Sequence, residues 1–195
     1  MKAGRPYTMT ARAEAAAETK QRILDAAVRA LQDTFRSDIR LEDVAAAAGV
    51  SVQTVLRVFG RRARLIDSAM AAVVAQIGAG LDQAPPGDVD ASVTAWFDHY
   101  ERFGDLVVRN LADESDPAVA YLVRTGRSRH RQRVQRQFAP QLADVPSGER
   151  ARLVDALVCA CDVYTWKLLR RDMGRSRRQA ESTMRLTITA LLGGR

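Results

Sequence analysis

RLEDVAAAAGVSVQTVLRVFGRRARL, residues Arg40 to Leu65, divides at its first glycine into two short helical patterns. Upstream, Leu41, Val44, Ala45 and Ala48 recur at helical spacing and make one apolar face, which leaves Glu42, Asp43 and Ala47 outward. The two acids suit a helix N-terminus. Gly49 supplies the left-handed conformation that ends a helix, Val50 fills the corner, and Ser51 offers a hydroxyl to the free N–H groups of the next helix. The pattern predicts helix, glycine turn, helix.

The second helix, expected over about Val52 to Phe59, is too short to be a core element, so its outward side chains decide its use. Val55, Val58 and Phe59 point inward; Gln53, Thr54 and Arg57 point out. A helix fits the major groove, where Gln pairs bidentately with adenine, Arg with guanine, and Thr touches a thymine methyl or a phosphate. Arg61, Arg62 and Arg64 follow with no acid nearby, at the start of another helix where a phosphate sits comfortably. The candidate DNA-binding set is therefore Ser51, Val52, Gln53, Thr54, Arg57, Arg61 and Arg62, with Gln53 and Arg57 for bases and Thr54, Arg61 and Arg62 for phosphates. A helical hairpin with a solvated basic end is the plainer account. It requires the glycine turn, the capped second helix and the basic cluster to coincide by accident.

Ala45, Ala48, Gly49, Val50, Ser51, Thr54, Phe59, Arg62 and Leu65 resemble the signature of the TetR family of bacterial transcriptional regulators, which runs from a capping Thr through A-x-x-A-G-V-S to T-x-Y-x-(H/Y)-F-x-x-K-x-x-L. The sequence departs from it at Arg40 for the capping Thr, Leu56 for a phosphate-contacting Tyr, Val58 for His or Tyr, and Arg62 for Lys. The first departure should cost roughly 1 kcal/mol of helix cap. The resemblance implies an all-α protein in which an N-terminal helix-turn-helix domain precedes a helical domain that holds an effector and forms a homodimer.

Composition agrees with that division. The chain has 195 residues, 47% of them apolar, enough for an ample core. Its net charge of +7 is uneven: residues 1–65 hold 12 basic and 7 acidic groups, residues 66–195 hold 18 and 16. The excess lies with the helix-turn-helix and favours a polyanion partner there. Two cysteines, Cys159 and Cys161, and two distant histidines, His99 and His130, give no metal-ligand spacing. With no Gly-rich phosphate loop and no Ser, His and acid grouping, no catalytic residue, cofactor or metal is assigned, and an enzyme is not expected. No signal-type run and no 18 uninterrupted apolar residues occur, so a cytoplasmic protein without a membrane partner is expected.

Three segments follow: a flexible basic tail at 1–10, a DNA-binding domain at 11–62, and an effector-binding and dimerisation domain at 63–195. Ile23, Leu24, Ala27, Val28, Leu31 and Phe35 form the stripe of a first helix ending near Arg36, which backs the helix-turn-helix. A longer helix is predicted from Arg61 to Leu81. The prolines, glycine and aspartates of residues 83–90 break the pattern. A helix from Ala91 is expected to close at Gly104, a short one to run through Leu111, and another from Asp116-Pro117 to Leu142. Its six arginines between Arg124 and Arg136 read as a solvated or ion-paired face, with an anion-binding rim as the alternative.

Trp96, His99, Tyr100, Phe103, Tyr121 and Phe138 are candidates to line a cavity for a small, largely apolar effector, against the plainer reading of a filled core. One helix from Ser147 through Leu169 is apolar on too many sides for a surface helix, and a last helix from Ser176 to Leu192 carries small residues beside its apolar stripe. Leu153, Leu157, Tyr164, Met184, Ile188 and Leu191 are the expected homodimer interface. The function expected is a repressor that binds a near-palindromic double-stranded operator as a homodimer and is released by an effector. An all-helical adaptor for a small molecule or protein, without DNA binding, is the alternative that Leu56 and Val58 keep open.

Overall fold

The structure, a computed structural model, describes residues 6–193, and among these it is all-helical. The chain divides into two compact units between Gln76 and Ile77. The boundary expected at 62/63 falls short of this because Leu65, Ile66, Ala69, Met70 and Val73, on one side of the fourth helix, are all buried residues of the first unit.

In that unit α1 spans Pro6–Asp33, α2 Leu41–Ala48, α3 Val52–Phe59, and α4 starts at Arg62 and runs to Leu81. The tail expected at 1–10 is helical from Pro6, a residue well suited to a first turn, and its first five residues lie outside those described. Among the described side chains of α1, burial begins at Ile23 and continues through Ala26, Ala27 and Leu31, a spacing of three and four that turns one face onto α2. By length and composition alone α4 could cross a membrane. Its apolar stripe is instead the buried row just named.

In the second unit α5 spans Val89–Ala112, α6 Pro117–Gln137, α7 Ala139–Leu142, α8 Ser147–Ala160, α9 Val163–Lys167 and α10 Arg177–Gly193, with a π-helical turn at Leu168–Asp172 after α9. α5 packs on α9 and α10, and α8 lies against α6 and α10. Phe97, Phe138, Leu157, Trp166, Met184 and Ile188 are fully enclosed in the core these helices share.

Three helix ends differ from expectation. Gly104 does not close α5, which continues to Ala112. A Cβ there would lie 2.5 Å from the Trp166 ring, so the glycine is a point of close helix approach rather than a stop. α6 stops at Gln137 because Pro140 has no N–H for the Arg136 carbonyl, and the chain restarts as the short α7. The long helix expected from Ser147 to Leu169 breaks at Cys161–Asp162, where the Asp162 carboxylate accepts from Tyr164 N at 2.8 Å and caps α9.

Candidate functional site

The corner between α2 and α3 forms as its residues dictate. Gly49 has φ 65° and ψ 39°, its N–H donates to the Ala46 carbonyl at 3.1 Å, and Val50 N–H reaches back to Ala45 at 3.0 Å. The two bonds satisfy the carbonyls at the end of α2. Ser51, in extended conformation, accepts from Thr54 N at 3.2 Å, and its hydroxyl shares a 3.0 Å hydrogen bond with that of Thr54. Val55 and Phe59 bury the inner side of α3, while Gln53 and Arg57 are exposed and Val52, Thr54, Leu56 and Val58 are half-buried. Gly60, at φ 78°, ends the helix and turns Arg61 and Arg64 to solvent.

Arg62, expected to hold a phosphate, is half-buried and is not a member of this exposed set. Its Nε donates to the Ile39 carbonyl at 2.7 Å, and its Nη2 donates to the carbonyls of Ser37, at 2.9 Å, and Arg36. One guanidinium thus fastens the start of α4 to the loop between α1 and α2. A point-charge ammonium could not span all three acceptors. Arg36 in turn pairs with Asp67 at 2.8 Å. The cations left at the surface around α3 are Arg57, Arg61 and Arg64, of which Arg64 stood outside the expected set.

Of the side chains expected to line an effector cavity, Trp96, His99, Tyr100 and Phe103 pack against one another. Trp96 stacks on Tyr100 with centroids 5.8 Å apart, meets His130 edge-on at 5.0 Å, and Tyr100 lies 5.9 Å from Trp166. His99 sits 4.7 Å from Tyr100 and 6.1 Å from Phe103. Trp96, Tyr100, Phe103 and Phe138 are buried, whereas Tyr121 is 66% exposed on α6 and does not join them. The polar tips serve the break in the terminal helices: Tyr100 OH donates to the Cys161 carbonyl at 2.7 Å, His130 Nε2 lies 3.2 Å from the Val158 carbonyl, and Thr165 Oγ1 donates to Cys159 at 2.7 Å. His99 Nδ1 is buried without a hydrogen-bond partner. Burial above all, then His130 and Arg133, push the His99 imidazole down to about 3. Burial likewise lifts the Cys161 thiol to about 12.

The expected dimer residues need correction too. Leu157, Met184 and Ile188 are fully buried within the chain itself, Leu153 and Leu191 are half-buried, and Tyr164 alone of the six is exposed, at 52%. The outward row of α10 is Thr183, Leu186, Thr187 and Ala190, with Leu186 71% exposed. The two threonines donate their hydroxyls to the Gln179 and Thr183 carbonyls at 3.0 Å, so the row presents little unmet polarity. On α10 the expected stripe of Met184 and Ile188 is the inner of two.

On α6, Arg127 pairs with Glu114 at 2.7 Å, Arg131 with Asp155, and Arg133 with Asp82, as an ion-paired face requires.

No protein-family model matches the sequence, and none of the curated proteins does. Among solved structures, the chain is similar to a transcriptional regulator from Rhodococcus sp. Rha1, with a TM-score of 0.69 and 16% sequence identity over 90% of this chain and 96% of that one. At that identity the likeness establishes the all-helical fold along nearly the whole of both chains.

Proposed function

We propose that the protein is a ligand-responsive transcriptional regulator of the TetR type, a repressor that binds a near-palindromic operator as a homodimer. The observation that carries this reading is α3 itself. It is capped by Ser51, buried along Val55 and Phe59, and free along Gln53 and Arg57, with Arg61 and Arg64 exposed beyond its end and no acid between Asp43 and Asp67. A helix so held offers its polar side to a major groove, and two copies would engage half-sites about 34 Å apart. The outward row of α10, with Tyr164, supports a two-fold contact through the terminal helices. A regulator of this kind works on DNA in the cytoplasm, and its second unit is where an effector would act.

The test is a gel shift on the DNA flanking its own gene, run across a salt series. Arg57→Ala should cost about 1–3 kcal/mol and relax preference at one base pair, while Arg61→Ala should weaken all sequences alike and flatten the salt slope by about one. Binding that ignores salt, or no binding to that DNA, would refute the assignment.

A further inference from the structure

We propose that the groove between α6, α7 and α8 binds a small amphipathic monoanion, a carboxylate carried on an aryl or short alkyl body. The groove is an open cleft with a volume of about 420 Å³, within the range of small-molecule sites. Its apolar part is Leu142 and Val154, both buried, with Ala139 of α7, Ala143 just after it and Ala151 of α8. Beside these stand two guanidiniums from different elements, Arg131 of α6 and Arg150 of α8, and none of the lining residues is acidic.

Both guanidiniums are already oriented. Arg150 donates from Nε and Nη2 to the Val145 carbonyl, at 3.2 and 2.9 Å, and from Nη2 to Ala143 at 3.1 Å. Arg131 donates from Nη1 to Asp155 Oδ1. A ligand therefore meets cations whose rotamers are fixed beforehand, which lowers the ordering cost of binding. The charge count sets the class. Asp155 offsets one of the two cations, leaving a single positive charge for the ligand to match, which suits a carboxylate better than a phosphate dianion. The apolar part requires a body that a bare inorganic ion lacks. Gln135 and Ser147 at the rim can meet one further polar atom.

The site shares no residue with the aromatic interior around Trp96 and does not depend on DNA binding. It is read on the purified full chain without DNA, by calorimetry and thermal shift with benzoate, naphthoate and octanoate against their amides and inorganic phosphate. A carboxylate should bind saturably and about tenfold tighter than its amide. Ala151→Trp fills the groove from an exposed position and leaves both arginines in place; it should weaken binding about tenfold or more. Arg131→Gln should weaken it severalfold, and Arg124→Gln, on the outward side of α6, should change nothing. Equal affinity for acid and amide, binding indifferent to Ala151→Trp, full competition by phosphate at equal concentration, or no saturable binding up to about 10 mM would each overturn the proposal. A failed gel shift leaves this result standing, and a failed titration leaves the operator reading standing.

Discussion

The chain breaks a helical run at Gly49 and again at Cys161–Asp162, and the two breaks are closed by different means. At Gly49 the carbonyls of Ala46 and Ala45 find N–H groups within five residues, from Gly49 and Val50, and the next helix is capped by the adjoining Ser51. At Cys161 the carbonyls of Leu157 and Cys159 are again met locally, but those of Cys161 and Val158 are met by side chains from distant helices: Tyr100, 61 residues away, and His130, 28 away. The first corner is a property of a short peptide and can stand by itself in front of a ligand. The second exists only once the bundle has assembled around it. The corner that presents α3 is built locally; a core that must accept a kink recruits polar groups from afar.

The strongest test of this contrast is Gly104. Helix propensity alone makes Gly104→Ala favourable by about 1 kcal/mol. Packing makes it unfavourable, because the new Cβ would lie 2.5–2.9 Å from Trp166 ring atoms, and Trp166 is fully buried with its Nε1 held by Glu101 Oε1 at 3.0 Å. Gly104→Leu should cost about 3 kcal/mol or more, enough to unfold a marginal second unit, while the sign of the alanine variant in urea unfolding reports which term governs the site. A stabilised alanine variant would mean that local propensity decides here as well.

Acid should act on the same unit. The His99 imidazole, held at about 3, stays neutral in the folded chain, while in the unfolded chain it titrates near 6.5. Because the folded value is the lower one, its contribution to stability is complete above pH 6.5 and is lost as pH falls from there towards 3, by up to about 1.4 kcal/mol per pH unit. His130, also depressed chiefly by burial, acts in the same direction. Urea midpoints measured from pH 7 to 4 should fall, and His99→Phe should flatten the slope. A profile equally steep in that variant would place the acid sensitivity elsewhere.

How much of this was legible follows the same division. α2, the Gly49 turn, the Ser51 cap and the outward row of α3 could be read because each rests on residues within one or two turns. Gly104 and Cys161 could not. A glycine in a helical pattern signals a stop unless the ring opposite it, Trp166, is known, and Asp162 as a cap was hidden inside a continuous apolar run. The two stripes of the terminal helices were both visible, but which one faces the core depends on α5 and α6, and no spacing within α8 or α10 records that. The anchoring of Arg62 was not legible for a related reason: its acceptors are carbonyls, which the sequence does not distinguish.

Arg62 therefore gives the next test, in the first unit. Removing its guanidinium leaves the carbonyls of Arg36, Ser37 and Ile39 without that donor, and Arg62→Ala should cost about 2 kcal/mol in stability. Operator affinity should fall only as far as the folded fraction falls, with an unchanged salt slope, in contrast to Arg61→Ala. A flattened slope would return Arg62 to the phosphate contacts. Arg62→Lys should recover little, since an ammonium cannot span the three acceptors.

The smallest effect concerns the residue where the local rules are left unused. Arg40 occupies the N-cap of α2 with φ −96° and ψ 142°, the extended conformation a capping residue adopts, yet its side chain makes no cap hydrogen bond. It lies 3.8 Å from Glu42 with both side chains largely exposed, a pair that contributes little. The backbone is thus already placed for a short hydroxyl side chain to accept from the N–H groups of the first turn, and Arg40→Thr should stabilise the first unit by about 1 kcal/mol. Thermal or urea unfolding of the full chain reads this, with Arg40→Ala as the control for simply removing the charge. If threonine and alanine behave alike, the first turn of α2 is already satisfied by water, and the self-sufficiency ascribed to this corner stops at Gly49. If threonine alone stabilises, the cap is available and the chain carries an arginine instead, in a position where a cation near the operator would be worth more than the helix end. Comparing the two variants in the gel shift then separates those terms, because alanine and threonine remove the same charge and only threonine restores the cap.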